Sequence, residues 1–72
     1  MTNTELLEQY IQKSGYKRSF IAEKLGITTY TLAKKINNEL EFWASEIDIL
    51  CELLGIDTET RMAIFFAKQV DF

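Results

Sequence analysis

The sequence predicts an all-α fold, and three observations carry that prediction. Apolar residues recur at helical spacing through most of the chain, and alternating β-branched runs that would signal strands are absent. Each of the three glycines, Gly15, Gly26 and Gly55, follows an apolar-periodic segment, where glycine is the usual helix stop. No proline interrupts any of these segments. At 72 residues and 47% hydrophobic content the chain reads as a single domain over 1–72, too apolar for disorder.

Five helices are expected, at about 3–14, 18–25, 29–37, 46–54 and 59–70. The first opens on a capping box, Thr2-x-x-Glu5, and carries Leu6, Leu7, Tyr10 and Ile11 before Ser14-Gly15. The second is short, with Ile21, Ala22 and Leu25 on one face. Lysine at position 17 cannot accept capping hydrogen bonds, so this helix is allowed a start as late as Ser19. The third opens at Thr28, a good N-cap, with Ile27 and Leu32 spaced as a hydrophobic staple, and stops at the pair Asn37-Asn38. The fourth is expected to begin at Ser45, with Asp48 as a short capping-box acid and a stripe of Ile47, Leu50, Cys51 and Leu54. The fifth starts near Thr58 and carries Met62, Phe65, Phe66 and Val70. Only Gly26, Ile27 and Thr28 separate helices two and three, the short glycine-containing turn of a helix-turn-helix. A longer loop, Asn38–Ala44, joins helices three and four.

The net charge of −3 argues at first against a polyphosphate partner. It is an average over unlike regions. Residues 13–35 hold Lys13, Lys17, Arg18, Lys24, Lys34 and Lys35 against Glu23, whereas residues 36–72 hold eight acids against Arg61 and Lys68. One stretch therefore carries almost all the positive charge. The single cysteine, Cys51, excludes an internal disulfide and reads as a buried, inert thiol. Without histidine, Cys/His zinc sites and histidine-based catalytic triads are excluded. Glu46, Asp48, Glu52, Asp57 and Glu59 read as a solubilising face rather than a metal site. No apolar run reaches bilayer length, and MTNTELLEQY lacks the features of a signal peptide, so a cytoplasmic setting is expected. No cofactor and no enzymatic activity are expected.

At 100° per residue, Thr29, Tyr30, Ala33, Lys34 and Asn37 share an arc about 140° wide on helix three, while Leu32 and Ile36 fall outside it and can pack inward. This face is polar, carries a lysine and holds no acid. Such side chains can hydrogen-bond base edges or phosphates, and a threonine methyl can touch a thymine methyl. Tyr30 has two open roles, a DNA contact or packing against the following loop. Lys35 points away from the arc and is assigned to the flank or to solvent. Tyr10 and Tyr16 are expected in the core or at its rim.

The segment RSFIAEKLGITTYTLAKKINN, with its Ala22, Gly26, Ile27, Thr28 and Leu32 spacing, resembles the Cro/repressor-type (xenobiotic-response-element) helix-turn-helix of phage and bacterial regulators. The following INNELEFWASEIDILCELLGI looks like a subgroup of small prophage regulators, and the resemblance covers roughly residues 4–56. It implies a compact five-helix, lambda-repressor-like DNA-binding domain with helices two and three as the helix-turn-helix. It also implies major-groove binding to double-stranded DNA and regulation of transcription. Carried across by position, Arg18 touches a phosphate and braces the recognition helix, and Lys17 occupies the N-cap of helix two. Thr28, Thr29, Tyr30 and Lys34 take groove-facing positions, with Ala33 between them and Asn37 at the end of the arc. The chain departs from the family in the loop after helix three, where Asn38-Glu39-Leu40-Glu41 stands in place of glycine and basic groups.

Regulators of this type commonly bind paired half-sites as dimers, and a homodimer through helix five, using Phe65, Phe66 and Phe72, is expected. The alternative function is a protein-interaction module on the same scaffold, acting through its acidic C-terminal half.

Overall fold

The structure is a computed structural model and describes residues 1–67. Its elements are α1 (Thr4–Ser14), α2 (Arg18–Leu25), α3 (Thr29–Ile36), α4 (Ala44–Leu54) and α5 (Thr58–Phe65), with no strand among the described residues. The predicted all-α, five-helix architecture is what the chain adopts. Helix α2 packs against α3 and α4, and α1 lies against α3, α4 and α5.

The core forms where the apolar stripes converge. Leu7 and Ile11 of α1 meet Ile21 and Ala22 of α2, Leu32 and Ile36 of α3, and Leu50 of α4, all of them buried. Ile64 and Phe65 close the core from α5, and Phe65 meets Phe42 edge-on at 5.5 Å between ring centres. Burial of these side chains is the main force holding the short helices, which would be marginal alone. Ile27, expected to staple to Leu32, is half-buried against the same core.

The helix starts differ from the sequence expectation at α1 and α4, each for a physical reason. Asn3, not Thr2, caps α1: the Leu6 amide donates to Asn3 Oδ1 at 3.1 Å. Thr2 is instead buried, and its amide donates to Asn38 Oδ1 at 2.8 Å. Helix α2 begins at Arg18, the earlier of the two starts considered, with Lys17 in extended conformation and no side-chain cap. Helix α4 begins at Ala44 rather than after Ser45. Glu46 reaches back so that its Oε1 accepts the Trp43 amide at 2.7 Å, satisfying a donor that no capping side chain serves. Thr28 caps α3 as expected, accepting from the Thr31 amide at 3.1 Å. Helix α5 is capped by Asp57, which accepts from the Thr60 amide at 2.8 Å. It ends at Phe65, short of the expected extension towards residue 70, because Phe66 leaves helical geometry with φ −124°. Val70 and Phe72 lie outside the described residues.

The expected left-handed stop after α3 falls on Asn38, with φ 66°. Its side-chain amide pairs reciprocally with the Thr2 backbone, since Nδ2 donates to the Thr2 carbonyl at 2.8 Å while Oδ1 accepts the Thr2 amide. The Thr4 hydroxyl donates to the Ile36 carbonyl at 2.5 Å, and the Asn3 amide to the Ile64 carbonyl at 2.6 Å. The N-terminal segment thereby ties the end of α3 to the end of α5.

Candidate nucleic-acid interface

The turn between α2 and α3 sets how α3 is presented. Gly26 has φ 72°, a region an L side chain enters only at a cost of about 1–2 kcal/mol. In that conformation its amide returns to α2, and the Ile27 amide donates to the Ala22 carbonyl at 3.0 Å. The chain then enters α3 at Thr28, whose side chain occupies the cap position. Leu32 and Ile36 anchor α3 inward, which leaves the opposite face free of the core.

That outer face carries the residues picked out from the sequence. Thr28, Thr29, Tyr30, Ala33 and Asn37 are exposed and Lys34 is half-buried. Tyr30 stands 69% exposed, and the Lys34 ammonium lies 4.8 Å from its ring centre. This cation–π contact aligns the two long side chains along one face, as i and i+4 spacing allows. Tyr30 therefore packs against Lys34 while most of its side chain remains exposed. Lys17 and Arg18 are exposed at the start of α2. Arg18 is held by α1: one terminal nitrogen of its guanidinium donates to both Glu8 oxygens, at 2.7 and 2.9 Å. Its other donors remain available to an anion.

Lys35 corrects the sequence reading. It is not a flank or solvent residue but 4% exposed, and it donates to both oxygens of Glu46 at 2.5 and 2.7 Å. Glu46, assigned to a solubilising face, is 3% exposed and belongs to the same buried pair. The Lys35 ammonium also lies 4.7 Å from the Trp43 ring centre. Two further members of this region escaped sequence reasoning. Glu8, which holds Arg18, sits one helix away with nothing local to mark it. Asn38 showed a turn signal, but its pairing with Thr2 spans 36 positions.

Glu39 and Glu41 lie exposed in the loop beyond α3, and the Glu39 amide donates to the Lys34 carbonyl at 2.9 Å. Among the described residues no group of acidic or thiol side chains could hold a metal ion. No helix there is long and apolar enough to cross a membrane. Cys51 is buried, and burial pushes its thiol pKa up, with Arg61 opposing and Asp48 reinforcing the shift.

A family description, bacterial regulatory protein of the Fis family, matches residues 3–38, half of the chain. The chain belongs to this Fis family. The matched segment runs from Asn3, the cap of α1, to Asn38, the left-handed residue after α3, and so takes in the whole α2–α3 turn. A Fis-family helix-turn-helix chain is a DNA-binding transcriptional regulator, a non-enzymatic kind of protein. Helices α4 and α5 lie outside the matched residues. No curated protein and no solved structure matches the chain.

One expected partner surface needs correction. Phe65, assigned to a dimer contact, is 5% exposed and belongs to the core beside Phe42. Phe66 is exposed.

Proposed function

We propose that this chain binds double-stranded DNA sequence-specifically, seating α3 in the major groove, and acts in the cytoplasm as a repressor-like regulator of the Cro/repressor type. In this reading Thr28, Thr29, Tyr30, Ala33, Lys34 and Asn37 meet base edges and the phosphates beside them. Lys17 and Arg18 hold the DNA backbone. The single observation that supports it is the outer face of α3, polar, exposed and without an acid, directly after a tight α2–α3 turn. A short helix of this kind fits the major groove, where threonine, tyrosine, asparagine and lysine find base-edge partners. The basic charge gathered between residues 13 and 35 supplies attraction to phosphate despite the negative total. Helices α4 and α5, which carry Glu46, Asp48, Glu52 and Glu59, then face away from the duplex.

A twofold arrangement over half-sites about one DNA turn apart, roughly 34 Å, would draw on exposed Phe66 rather than Phe65. Selection of bound sequences from random duplex tests the whole reading. A defined motif is expected, with base preference relaxed at one position by Tyr30→Ala. Recovery of sequences no different from the input pool would contradict it.

A further inference from the structure

Beside α3, on the flank away from Tyr30 and Lys34, lies an open groove of about 370 Å³. Its walls are Ile27, Thr31, Leu40 and Trp43, with Glu41 at the rim. Its floor is the Lys35–Glu46 pair, whose charges already satisfy one another: both Glu46 oxygens are engaged by Lys35, and one also accepts the Trp43 amide. Trp43 is 69% exposed and Leu40 45%, so the upper walls present apolar surface to water. Large exposed side chains of this kind around a concave surface mark a contact site rather than scattered surface residues.

We propose that this groove docks a segment of a partner protein that presents an apolar side chain flanked by arginine or lysine. The neutralised floor offers nothing to an incoming charge, so the centre selects an apolar group. The rim is acidic. Glu39 and Glu41 are exposed, and neither forms an ion pair among the described residues. Trp43 adds an open aromatic surface, since most of its indole is exposed and an incoming guanidinium can stack on it. A second copy placed symmetrically would bring the two Glu41 rims together, and a phosphate backbone would be repelled by Glu41 and by Glu39 in the same loop. A basic, apolar polypeptide meets both requirements.

The location gives the site a regulatory meaning. Thr31 and Lys35 lie on α3 outside the arc that carries the proposed DNA contacts, so a partner in the groove leaves that face uncovered while touching the same helix. The proposal uses no DNA contact and stands or falls separately from the DNA reading.

The test is fluorescence anisotropy of a labelled, capped leucine–arginine peptide titrated with the full chain, beside the same peptide with glutamate in place of arginine. Saturable binding of the arginine peptide alone is expected. Leu40→Ala and Trp43→Ala should each weaken it about tenfold. Glu41→Gln should weaken it about threefold, while Glu59→Gln, an equal charge change at the start of α5, should leave it unchanged. Circular dichroism melts show that each variant is folded, and Leu40→Ala removes only a half-exposed loop side chain. Equal weakening by both glutamine variants would reduce the binding to general attraction and overturn the proposal. Binding indifferent to Leu40→Ala would overturn it as well. Concentration-dependent self-association abolished by Leu40→Ala would assign the groove to a second copy instead.

Discussion

In the proposed DNA complex Lys34 combines two roles that ordinarily compete. Its stem lies along α3 and its ammonium rests near the Tyr30 ring, yet it stays close enough to the surface to meet a phosphate. Replacing it with alanine removes one phosphate contact and loosens Tyr30, so affinity should fall and the salt dependence should flatten by roughly one unit of slope. Lys17→Ala has no ring to release and should flatten the slope by the same amount while leaving sequence preference intact. Measuring both slopes by titration at several salt concentrations separates the two roles. Asp57 gives a residue-scale test of the fold. The Thr60 amide and hydroxyl hold its carboxyl below the usual carboxylate range. A carboxyl with a lowered folded pKa adds stability above its unfolded pKa, and that stability is lost as pH falls through the folded value. Thermal melts should therefore show Asp57→Ala less stable than the parent at neutral pH, with the gap closing as both are acidified. A gap independent of pH would contradict the assignment.

At the scale of the elements, the buried Lys35–Glu46 pair joins α3 to the start of α4. Removing one partner leaves an unpaired buried charge, so Lys35→Met or Glu46→Gln should cost about 3–5 kcal/mol in denaturant unfolding. Replacing both with apolar residues should cost distinctly less than the two single changes together, because neither charge is then left uncompensated. Gly26→Ala should cost about 1 kcal/mol for conformational reasons alone, since no atom lies within 4 Å of where its Cβ would sit. The helices themselves were legible in the sequence because periodicity and glycine stops are local signals, and Thr28 was legible as a cap for the same reason. The Lys35–Glu46 pair was not, because it closes across a loop between two helices and helical phase alone pointed Lys35 outward. The start of α4 was hidden by Ser45, a stronger local capping signal than the Glu46 side chain that serves Trp43. Phe65 and Phe66, adjacent and alike in the sequence, part company in the fold because only Phe65 meets Phe42. The face of α3 was readable from angle and residue type, whereas the restraint of Arg18 by Glu8 needed the packing of α1 to be known.

Across the whole molecule, charge is divided along the chain. The stretch that holds the helix-turn-helix is basic and the part that follows is acidic, so the total of −3 describes neither surface. Such a division limits non-specific attraction and favours an orientation in which α3 meets the duplex and α4 and α5 remain outside. It also places the acidic Glu41 at the groove on the far flank of α3, with Glu39 in the same loop, where a basic partner would find them. DNA binding through the outer face of α3 is the central claim. Anisotropy of a labelled duplex carrying a selected site, titrated with the chain over a range of salt, tests it most directly. With Lys17, Arg18 and Lys34 on phosphates, the logarithm of affinity should fall with the logarithm of salt at a slope of about −3 per bound chain, and Lys34→Ala should reduce that slope. Binding that ignores salt, or that survives Lys34→Ala and Lys17→Ala unchanged, would contradict it.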